Sequence, residues 1–289
     1  MRIIVLGAGG MLGHKLWQGL SLRFPDTYAT IHGSKIDYER FGLFQSDNLV
    51  DDVDVLDFSM LDGVMRELHP NVVLNCIGVT KRREDSGDII PSRMLNALFP
   101  HQLAQWGLNN SARVINFSTD CVFDGEQGDY SENSPTTARD MYGKTKAQGE
   151  ISGENALTLR SSFIGRELAG KTELLEWLIA QKGKTVRGFR QALYTGVSTI
   201  HLAGVVGDII ERFPNLSGLY QLAGPLITKY DLLVLARDKF ALDVLIEPDD
   251  SFICRRNLNG EKFQQATGYS PPSWDMMMSE LASDTTPYT

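Results

Sequence analysis

The chain contains 289 residues, of which 42% are hydrophobic and 22% are charged, proportions typical of a folded globular protein with a substantial core. Its formal net charge of -8 argues against a nucleic-acid partner, because phosphate binding needs clustered lysine and arginine. The apolar N-terminal run is too short for a signal peptide, and no stretch reaches the about 20 apolar residues of a membrane span. We therefore expect a cytoplasmic protein without a membrane partner.

Short strands and amphipathic helices alternate along the first half of the chain. The hydrophobic pattern predicts a strand at 2–6, a helix at 11–22, strands at 28–31 and 52–56, a helix at 60–68, a strand at 72–75, a helix at 95–106 and a strand at 113–117. Pro100 should kink the last of these helices. Nearly continuous apolar strands between helices predict an α/β fold with a doubly wound parallel sheet of the Rossmann type, which binds ligands beyond the carboxyl ends of its strands.

The alternation becomes less regular after a sixth predicted strand at 157–159. Helices are predicted at 174–180 and 200–210, and a short strand at 219–222. No flexible linker separates a tethered module. We therefore expect a dinucleotide-binding domain of residues 1–165, to which 192–225 return, and a smaller C-terminal substrate-binding region made of 166–191 and 226–289.

Three glycines follow the first strand at intervals of three residues. Gly7 permits a tight turn, Gly10 lets the backbone approach a pyrophosphate, and Gly13 allows close packing of helix on strand. Free amides at the start of the following helix favour the anion. Such glycines also occur in purely conformational turns, but at the opening of a strand–helix–strand unit they predict a dinucleotide site.

The end of the second predicted strand indicates which dinucleotide is bound. NAD sites usually carry a carboxylate there for the ribose 2′-hydroxyl, and this sequence has none. Ser34 and Lys35 are suited to a 2′-phosphate, which predicts NADPH with NADH as an alternative, although a merely exposed Lys35 would look the same. Asp54 and Val55 are placed to meet the adenine, and Asp54 suits a helix cap equally well.

A tyrosine and a lysine four residues apart form the second chemical signal. On a helix, Tyr142 and Lys146 would share one face, where the ammonium and an oxidised nicotinamide ring would lower the phenol pKa from its usual value near 10. Such pairs are common on ordinary helix surfaces. Ser118, Thr119 and Asp120 follow the fifth strand and favour turns, yet both segments converge at the ligand-binding edge of the sheet, where a hydroxyl can orient a carbonyl.

These motifs together resemble the dTDP-4-dehydrorhamnose reductases, which belong to the extended short-chain dehydrogenases. The resemblance is carried by S-T-D-C-V-F-D-G at 118–125, Y-S-E at 130–132 and Y-G-K-T-K-A-Q-G-E at 142–150, with support from 7–13, 75–80 and 218–224. It implies a catalytic triad of Thr119, Tyr142 and Lys146. It implies cofactor contacts at Gly10, Met11, Leu12, Asp54, Val55, Cys76, Ile77 and Gly78, and at Lys146. Substrate contacts are implied at Thr80, Thr119, Asp120, Phe163, Arg187 and Arg190.

Departures from the family pattern bear on the substrate. Cys121 stands where the family usually has tyrosine, and Phe163 stands where it has tryptophan. Arg187 and Arg190 lie near the expected nucleotide diphosphate, although an exposed loop could carry them for solubility alone. The resemblance implies NADPH-dependent reduction of a nucleotide-linked 4-keto-6-deoxy sugar for cell-surface polysaccharide precursors. Either dTDP-4-dehydrorhamnose or a UDP-linked 2-acetamido-4-keto-6-deoxyhexose fits these residues.

Two other functions stay open on the sequence alone. A regulatory subunit that binds NADP without catalysis would not need all three catalytic residues. An epimerase or dehydratase with tightly held NAD would keep the tyrosine–lysine pair. Dehydratases add an acid beside the threonine, and Asp120 occupies roughly that position.

Several sequence features have no assigned role. The C-terminal Arg255 and Arg256 match the family only loosely, and the mixed charge run at 81–85 fits a solvated loop or a basic lip over an anionic ligand. The three cysteines and five histidines show no disulfide or metal-ligand spacing, so we expect no metal. Trp177 and Trp274 suit either a core or an interface, which leaves the oligomeric state open, a homodimer included.

Overall fold

The computed structural model describes residues 1–44, 47–80 and 89–288. In these ranges the strands are β1 (Ile3–Leu6), β2 (Thr27–Thr30), β3 (Leu49–Val50), β4 (Val72–Asn75), β5 (Arg113–Ser118), β6 (Ala156–Arg160), β7 (Phe163–Ile164), β8 (Thr185–Phe189), β9 (Ala192–Tyr194), β10 (Val197–Ser198), β11 (Gly218–Gln221), β12 (Ile227–Thr228), β13 (Leu245–Asp249) and β14 (Cys254–Arg255). The helices are α1 (Met11–Arg23), α2 (Phe58–Leu68), α3 (Ile89–Arg93), α4 (Phe99–Asn109), α5 (Met141–Gln148), α6 (Leu174–Ile179), α7 (Thr199–Arg212), α8 (Lys229–Lys239), α9 (Glu261–Thr267) and α10 (Trp274–Ala282). A 3₁₀ turn lies at Lys35–Phe41, another at Asp120–Val122, and a π-helical turn at Met94–Leu98.

Seven of these described strands form one parallel sheet, in the order β3-β2-β1-β4-β5-β6-β11. The strand order reverses between β1 and β4, which pair from Ile3 with Val72 to Leu6 with Asn75. At such a reversal the loops that follow the two strands part and leave a crevice at the carboxyl ends. The predicted doubly wound α/β fold is therefore confirmed.

Alternate side chains of β1 enter two apolar layers, one on each face of the sheet. Ile3 and Val5 pack in a cluster with α1 and α7, whereas Ile4 and Leu6 pack with α2 and α4. All four side chains are fully buried. Burial on both faces explains the continuous apolar run of the strand, and it stabilises the fold by roughly 1.5–3 kcal/mol per side chain.

The predicted strand at 52–56 is wrong. The third strand is β3, and 52–56 form a loop that leads to α2. Asp52 has a left-handed backbone with a φ of 53°, which ends the extended run, and the Asp54 carboxylate accepts a hydrogen bond from the amide two residues on. Aspartate favours such local bonds over a strand ladder, so the apolar spacing of Val53 and Val55 misled the prediction.

The predicted helix at 95–106 begins earlier and is irregular close to Pro100, as predicted. Helical backbone runs from α3 through the π-helical turn into α4, and the proline lies in the first turn of α4. In the π-helical turn, Phe99 N donates to Met94 O. This wider turn accommodates a proline ring that would clash in a regular α-helix, so the predicted kink takes this form.

The elements predicted in the second half are present with slightly shifted ends. They correspond to β6, α6, α7 and β11; α7 packs against α1, and β11 completes the large sheet. In the smaller C-terminal region, β8 pairs with β13, and β9 joins β12 and β14. The chain thus returns to the large sheet through α7 and β11. That the smaller region binds the substrate stays a prediction.

Three further expectations concern membrane spans, metal sites and the tryptophan side chains. Across the described ranges, no helix is long and apolar enough to span a membrane. The same ranges hold no group of metal-ligating side chains that could bind an ion. Trp274 is buried in the core, and Trp177 is partly buried against it. The charge run at 81–85 lies outside the described residues.

Candidate active site

The glycine turn after β1 has the geometry of an anion-binding loop. Gly7 adopts a φ of +79°, and a Cβ atom on Gly13 would lie 2.2 Å from the Gly7 carbonyl oxygen. Helix and strand can therefore approach this closely only with glycine at both positions. Gly10, the N-cap of α1, makes no side-chain cap, and no acidic residue lies in the first turn. The first amides of α1, at Met11 and Leu12, are thus left for an anion such as a pyrophosphate.

The loop after β4 forms the opposite wall of the same crevice. A Cβ atom on Gly7 would lie 2.8 Å from Ile77 Cγ1 and 3.4 Å from Cys76 O, so the loop contacts the glycine turn directly. Asn75 orders the loop by accepting a hydrogen bond from Ile77 N at 3.2 Å. Burial raises the pKa of the Cys76 thiol well above its usual range and keeps it neutral. The structure therefore brings the two predicted cofactor segments together.

A carboxylate lies beside the predicted 2′-phosphate site. Ser34 accepts a hydrogen bond from Ile36 N at 3.3 Å, and Lys35 N donates to Asp51 Oδ2 at 2.9 Å. Asp51 follows β3, so a search for an acid at the end of the second strand does not find it. The Lys35 ammonium would attract a 2′-phosphate and the Asp51 carboxylate would repel it, so both residues bear on the choice of dinucleotide.

The residues expected at the adenine lie in the loop before α2. Asp54 is exposed, and its carboxylate accepts a hydrogen bond from Leu56 N within this loop, so it does not cap the helix. The cap is Asp57, which accepts hydrogen bonds from Ser59 N and Met60 N. Val55 is partly buried against the apolar layer under α2 and α4. Adenine contact by Asp54 and Val55 stays a prediction.

The catalytic side chains predicted from the sequence meet where β5 and α5 come together. Thr119 directly follows β5, and Tyr142 and Lys146 lie about one turn apart on α5. The helix approaches this closely because Gly143 lacks a side chain: a Cβ atom there would lie 2.1 Å from Cys121 O. The approach puts the Thr119 hydroxyl within hydrogen-bonding reach of the Tyr142 phenol.

Burial sets the ionisation of Tyr142. It raises the pKa of the phenol well above its usual range, nearby Cys121 adds to the rise, and the hydrogen bond with Thr119 opposes it. The Lys146 ammonium donates to Phe117 O at 2.6 Å. Lys146 has no resolved influence on the phenol pKa in this arrangement, in which its ammonium binds a backbone carbonyl. The lowering by Lys146 together with an oxidised nicotinamide ring stays a prediction. Tyr142 keeps its proton at neutral pH.

Burial also shifts the ionisation of Lys146, in the opposite direction. It lowers the pKa of the ammonium to about 8, and the nearby Glu150 opposes that shift. The lysine is therefore still mostly charged at neutral pH. Cys76 lies close enough to interact with Lys146, which puts the end of α5 near the β4 loop, so the catalytic helix and the cofactor crevice adjoin.

Asn96 joins the loop after β4 to α5, which carries the predicted catalytic tyrosine and lysine, and the sequence did not predict this link. It comes from the π-helical turn, is 1% exposed, and exchanges two hydrogen bonds of 2.9 Å with the Val79 backbone. Its amide also donates to Thr145 Oγ1 on α5 at 3.2 Å. A buried asparagine in an apolar helix is the signal that could have pointed to it, because buried amides are nearly always hydrogen-bonded.

A buried ion pair at the end of α5 was also missed. Glu150 binds Arg160 through two hydrogen bonds of 2.8 and 2.7 Å and accepts a third from Ser118 Oγ at 2.6 Å. Arg160 is 1% exposed, and its guanidinium lies 4.9 Å from the centre of the Phe123 ring. The pair holds the carboxyl ends of β5 and β6 to the end of α5. A charged residue closing an apolar strand is the signal that could have found it.

Among the predicted substrate residues, some lie beside the catalytic threonine. Asp120 is buried, and its Oδ1 accepts a hydrogen bond from Thr119 Oγ1 at 3.2 Å. Phe163 lies edge-on to Phe117, with ring centroids 6.1 Å apart. Thr80 is partly buried at the end of the β4 loop. Substrate contact by these residues stays a prediction.

The two arginines predicted near the diphosphate belong to β8 and the turn after it. Arg187 forms an ion pair with Asp249 at 3.4 Å, and Arg190 pairs with Asp250. Both arginines are exposed. A diphosphate would have to replace these carboxylates, so the binding role of the arginines also stays a prediction.

A family model matches most of the chain. Residues 1–238 fit the model of the RmlD substrate binding domain, which includes the glycine turn and the catalytic group. The chain belongs to this family. Membership confirms the resemblance to dTDP-4-dehydrorhamnose reductases that the motifs indicate.

Proteins similar to this member of the family include a reductase and a subunit of another enzyme. The chain is 23% identical to the dTDP-4-dehydrorhamnose reductase of Aggregatibacter actinomycetemcomitans, over 97% of this chain and 98% of that protein. It is 24% identical to the methionine adenosyltransferase 2 subunit beta of Xenopus tropicalis, over 83% of this chain and 72% of that protein. A crystal structure of dTDP-4-dehydrorhamnose reductase from Bacillus anthracis in complex with NADP shares the fold, with a TM-score of 0.79 and 18% identity over 98% of this chain and 99% of that one.

Proposed function

We propose that this protein uses NADPH to reduce the 4-keto group of a nucleotide-linked 6-deoxy sugar, for the synthesis of cell-surface polysaccharide precursors. The observation that carries the proposal is the meeting of Thr119, Tyr142 and Lys146 next to the glycine-lined crevice. A dinucleotide site and an acid–base group at one sheet edge fit the transfer of a hydride and a proton to a carbonyl. The reductase from Aggregatibacter, which aligns with nearly the whole chain, supports a sugar nucleotide as substrate.

The catalytic residues have separate roles in this reaction. The dinucleotide, when bound, supplies the hydride that the carbonyl carbon accepts. Thr119 donates a hydrogen bond to the carbonyl oxygen and holds it beside the phenol. Tyr142 gives its proton to the same oxygen, so the ketone becomes a secondary alcohol. The Lys146 ammonium stabilises the phenolate that remains and would hold the ribose hydroxyls.

Burial of the phenol bears on its role in the reduction. A phenol is protonated at neutral pH at its usual pKa near 10, and burial raises that pKa further, so Tyr142 carries the proton that the reduction consumes. The phenolate, which the reverse oxidation needs, is disfavoured by burial and by the nearby acidic side chains. The surroundings of Tyr142 therefore suit its role as a proton donor.

NADPH is the proposed cofactor, and the proposed contact of Ser34 and Lys35 with a 2′-phosphate supports it. The reductase from Bacillus anthracis that shares the fold was crystallised with NADP. Asp51, at 2.9 Å from Lys35 N, opposes this preference. NADH is therefore proposed as a weaker alternative cofactor.

Two keto-sugars fit the proposed site, dTDP-4-dehydrorhamnose and a UDP-linked 2-acetamido-4-keto-6-deoxyhexose. Phe163 is smaller than the aromatic residue usual at its position in the family, which would leave additional room beside the sugar ring. The test is an NADPH-oxidation assay with dTDP-, UDP- and GDP-linked 4-keto-6-deoxy sugars. Turnover of at least one of them is expected. No oxidation with the whole panel would contradict the proposal.

Tyr142→Phe tests the role of the phenol. The variant should fold and bind NADPH as the wild type does but turn over at least 100-fold more slowly, about the effect of losing a general acid. Lys144→Met is the matched control, because Lys144 is exposed two residues away on another face of α5. Unchanged turnover in Tyr142→Phe, measured with a substrate that the wild type reduces, would remove the tyrosine from the mechanism.

A second candidate is a subunit that binds NADPH and serves another enzyme. The similarity to methionine adenosyltransferase 2 subunit beta favours it. The candidate predicts tight NADPH binding, no turnover with any keto-sugar, and equal behaviour of wild type and Tyr142→Phe. An epimerase or dehydratase would instead be purified with bound NAD and convert a sugar nucleotide without net NADPH oxidation.

A further inference from the structure

A C-terminal segment lies along the loop that follows the catalytic threonine. Arg255 N donates to Gly125 O at 2.7 Å, and Tyr130 N donates to Asn257 O at 3.1 Å. The segment is therefore attached to the loop on both sides of residue 256. The smaller region thus contributes a side chain to the site at this position.

Arg256 reaches from this segment to the neighbour of the catalytic threonine. Its Nη1 donates to Cys121 Sγ at 3.5 Å, and its Cγ lies 3.1 Å from where a Cβ atom on Gly125 would be. Cys121 N in turn donates to Thr119 Oγ1 at 3.1 Å. A single residue, Cys121, therefore separates the guanidinium from the hydroxyl that is proposed to hold the reacting carbonyl.

The Arg256 guanidinium is incompletely paired. Among the described residues its buried Nε has no hydrogen-bond partner. Asp120 and Asp140 act on the guanidinium through space, without an ion pair to it in the described ranges. Arg187 and Arg190, by contrast, are exposed and each bound to a carboxylate. Because an unsatisfied donor is costly, this arginine has hydrogen-bonding capacity left for an acceptor from a ligand, whereas Arg187 and Arg190 already have carboxylate partners.

We propose that Arg256 is a specificity-determining residue that pairs with an anionic oxygen group of the substrate. The proposal rests on the proposed function, in that the ligand is a sugar nucleotide. Cys121 replaces the tyrosine usual in the family, and the smaller side chain leaves the space that the guanidinium uses. Its planar fork can bind two oxygens of one anion. In the proposed substrates these oxygens belong to the diphosphate, because a 6-deoxy sugar carries no carboxylate. A carboxylate on the sugar is the alternative that the test separates, and it would require a substrate other than the proposed one.

Ligand binding distinguishes these two sources. Dissociation constants for UDP, UDP-glucose, UDP-glucuronic acid, dTDP and dTDP-glucose are measured by calorimetry on wild type, Arg256→Met and Arg255→Met, each saturated with NADP⁺. Arg255→Met is the matched control, because Arg255 is the exposed residue directly before Arg256, at the end of β14. Arg256→Met should weaken binding about 10- to 100-fold, the scale of a charge-assisted hydrogen bond. Equal weakening of all ligands assigns the diphosphate, and weakening confined to UDP-glucuronic acid assigns a sugar carboxylate.

Two results would overturn the proposal. The first is a loss of affinity in Arg256→Met that is no greater than the loss in Arg255→Met for any ligand. The second is a wild-type protein that binds none of the five nucleotides and sugar nucleotides. Arg256→Lys is measured in parallel, because it keeps the positive charge and the aliphatic stem and so guards against a methionine variant that does not fold. This variant should lose part of the affinity. Since binding is measured without turnover, these outcomes are independent of the keto-sugar assay that decides the proposed function.

Substitution of Cys121 tests the geometry of the proposal. Cys121→Tyr should occupy the space of the guanidinium and abolish the difference in affinity between proteins with and without Arg256. Cys121→Ser, which keeps the volume, should retain that difference. If Arg256→Met has the same effect in the Cys121→Tyr background as in the wild type, the guanidinium does not act from the space beside Cys121.

Discussion

At the scale of single residues, Lys146 is the catalytic group whose charge changes in an accessible pH range. Its pKa is lowered to about 8 by burial, so the ammonium is lost as the pH rises above that value. Because the ammonium stabilises the phenolate left on Tyr142, kcat/KM for ketone reduction should fall on the alkaline side. The pH profile of the wild type, compared with Lys146→Arg, checks this. Arginine keeps its charge throughout, so the variant should be slower but lack the alkaline decline, and a decline shared by both proteins would implicate another group.

Lys35 and Asp51 are expected to set the choice of dinucleotide by opposite charges. Lys35→Ala should weaken NADPH binding about tenfold, the scale of a charge-assisted contact, and change NADH binding little. Asp51→Asn is the complementary variant and should favour NADPH, because it removes a repelling charge. Fluorescence titration with both cofactors measures the effects. Equal losses for NADPH and NADH in Lys35→Ala would contradict a 2′-phosphate contact.

At the scale of the elements, two helix glycines should respond in opposite directions to alanine. Gly13→Ala puts a Cβ atom 2.2 Å from backbone, so α1 must shift from the sheet, with loss of stability and of cofactor affinity. Gly63 is exposed within α2 with nothing within 4 Å of an added Cβ, so Gly63→Ala should stabilise the fold by about 0.5–1 kcal/mol. Urea unfolding with and without NADPH measures both. Equal effects would show that Gly13 is not needed for the close approach.

Element boundaries show where sequence patterns stop being sufficient. β1, α1, β4 and β5 are recognisable because their apolar periodicity reflects burial on both faces of the sheet. The error at 52–56 arose because Asp52 and Asp54 bend the backbone locally, which apolar spacing does not record. The π-helical turn before Pro100 was foreseen only as a kink, since the form of the distortion depends on how the helix packs.

At the scale of the whole molecule, the C-terminal residues return to the helix that begins at the glycine turn. Lys15 Nζ lies 2.5 Å from Asp284 Oδ2, and His14 Nε2 lies 2.9 Å from the Tyr288 hydroxyl. His14 Nδ1 also contacts Gly10 O at 2.8 Å. One buried cluster therefore joins the end of the chain to the start of the proposed cofactor helix.

This cluster predicts a loss of stability in acid. Burial lowers the pKa of His14 from its usual value of 6.5 to about 4. Between these values the unfolded state binds more protons than the folded state, so acidification destabilises the fold, by roughly 3 kcal/mol in total. The free energies of unfolding of wild type and His14→Gln, measured by urea at neutral pH and near pH 4.5, check this. The wild type should lose more stability than the variant, and equal losses would exclude a contribution from His14.

The sequence by itself determined the fold class, the glycine turn and the Tyr142–Lys146 pair. These features are local: a period of two or of nearly four residues, or a spacing of three or four, fixes which side chains share a face. The position of Thr119 after the fifth strand could likewise be predicted, because the carboxyl ends of parallel strands meet at one edge. Family resemblance added the sugar nucleotide.

Only the tertiary structure decided which residues that are distant in the chain become neighbours. It placed Asp51 beside Lys35, Asn96 between the cofactor crevice and α5, and Arg256 against Cys121. It also decided that the surroundings of Tyr142 raise the phenol pKa above its usual value. The physical reason is that hydrogen bonding and desolvation depend on what packs around a side chain, and contacts between segments tens of residues apart leave no periodic trace in the sequence.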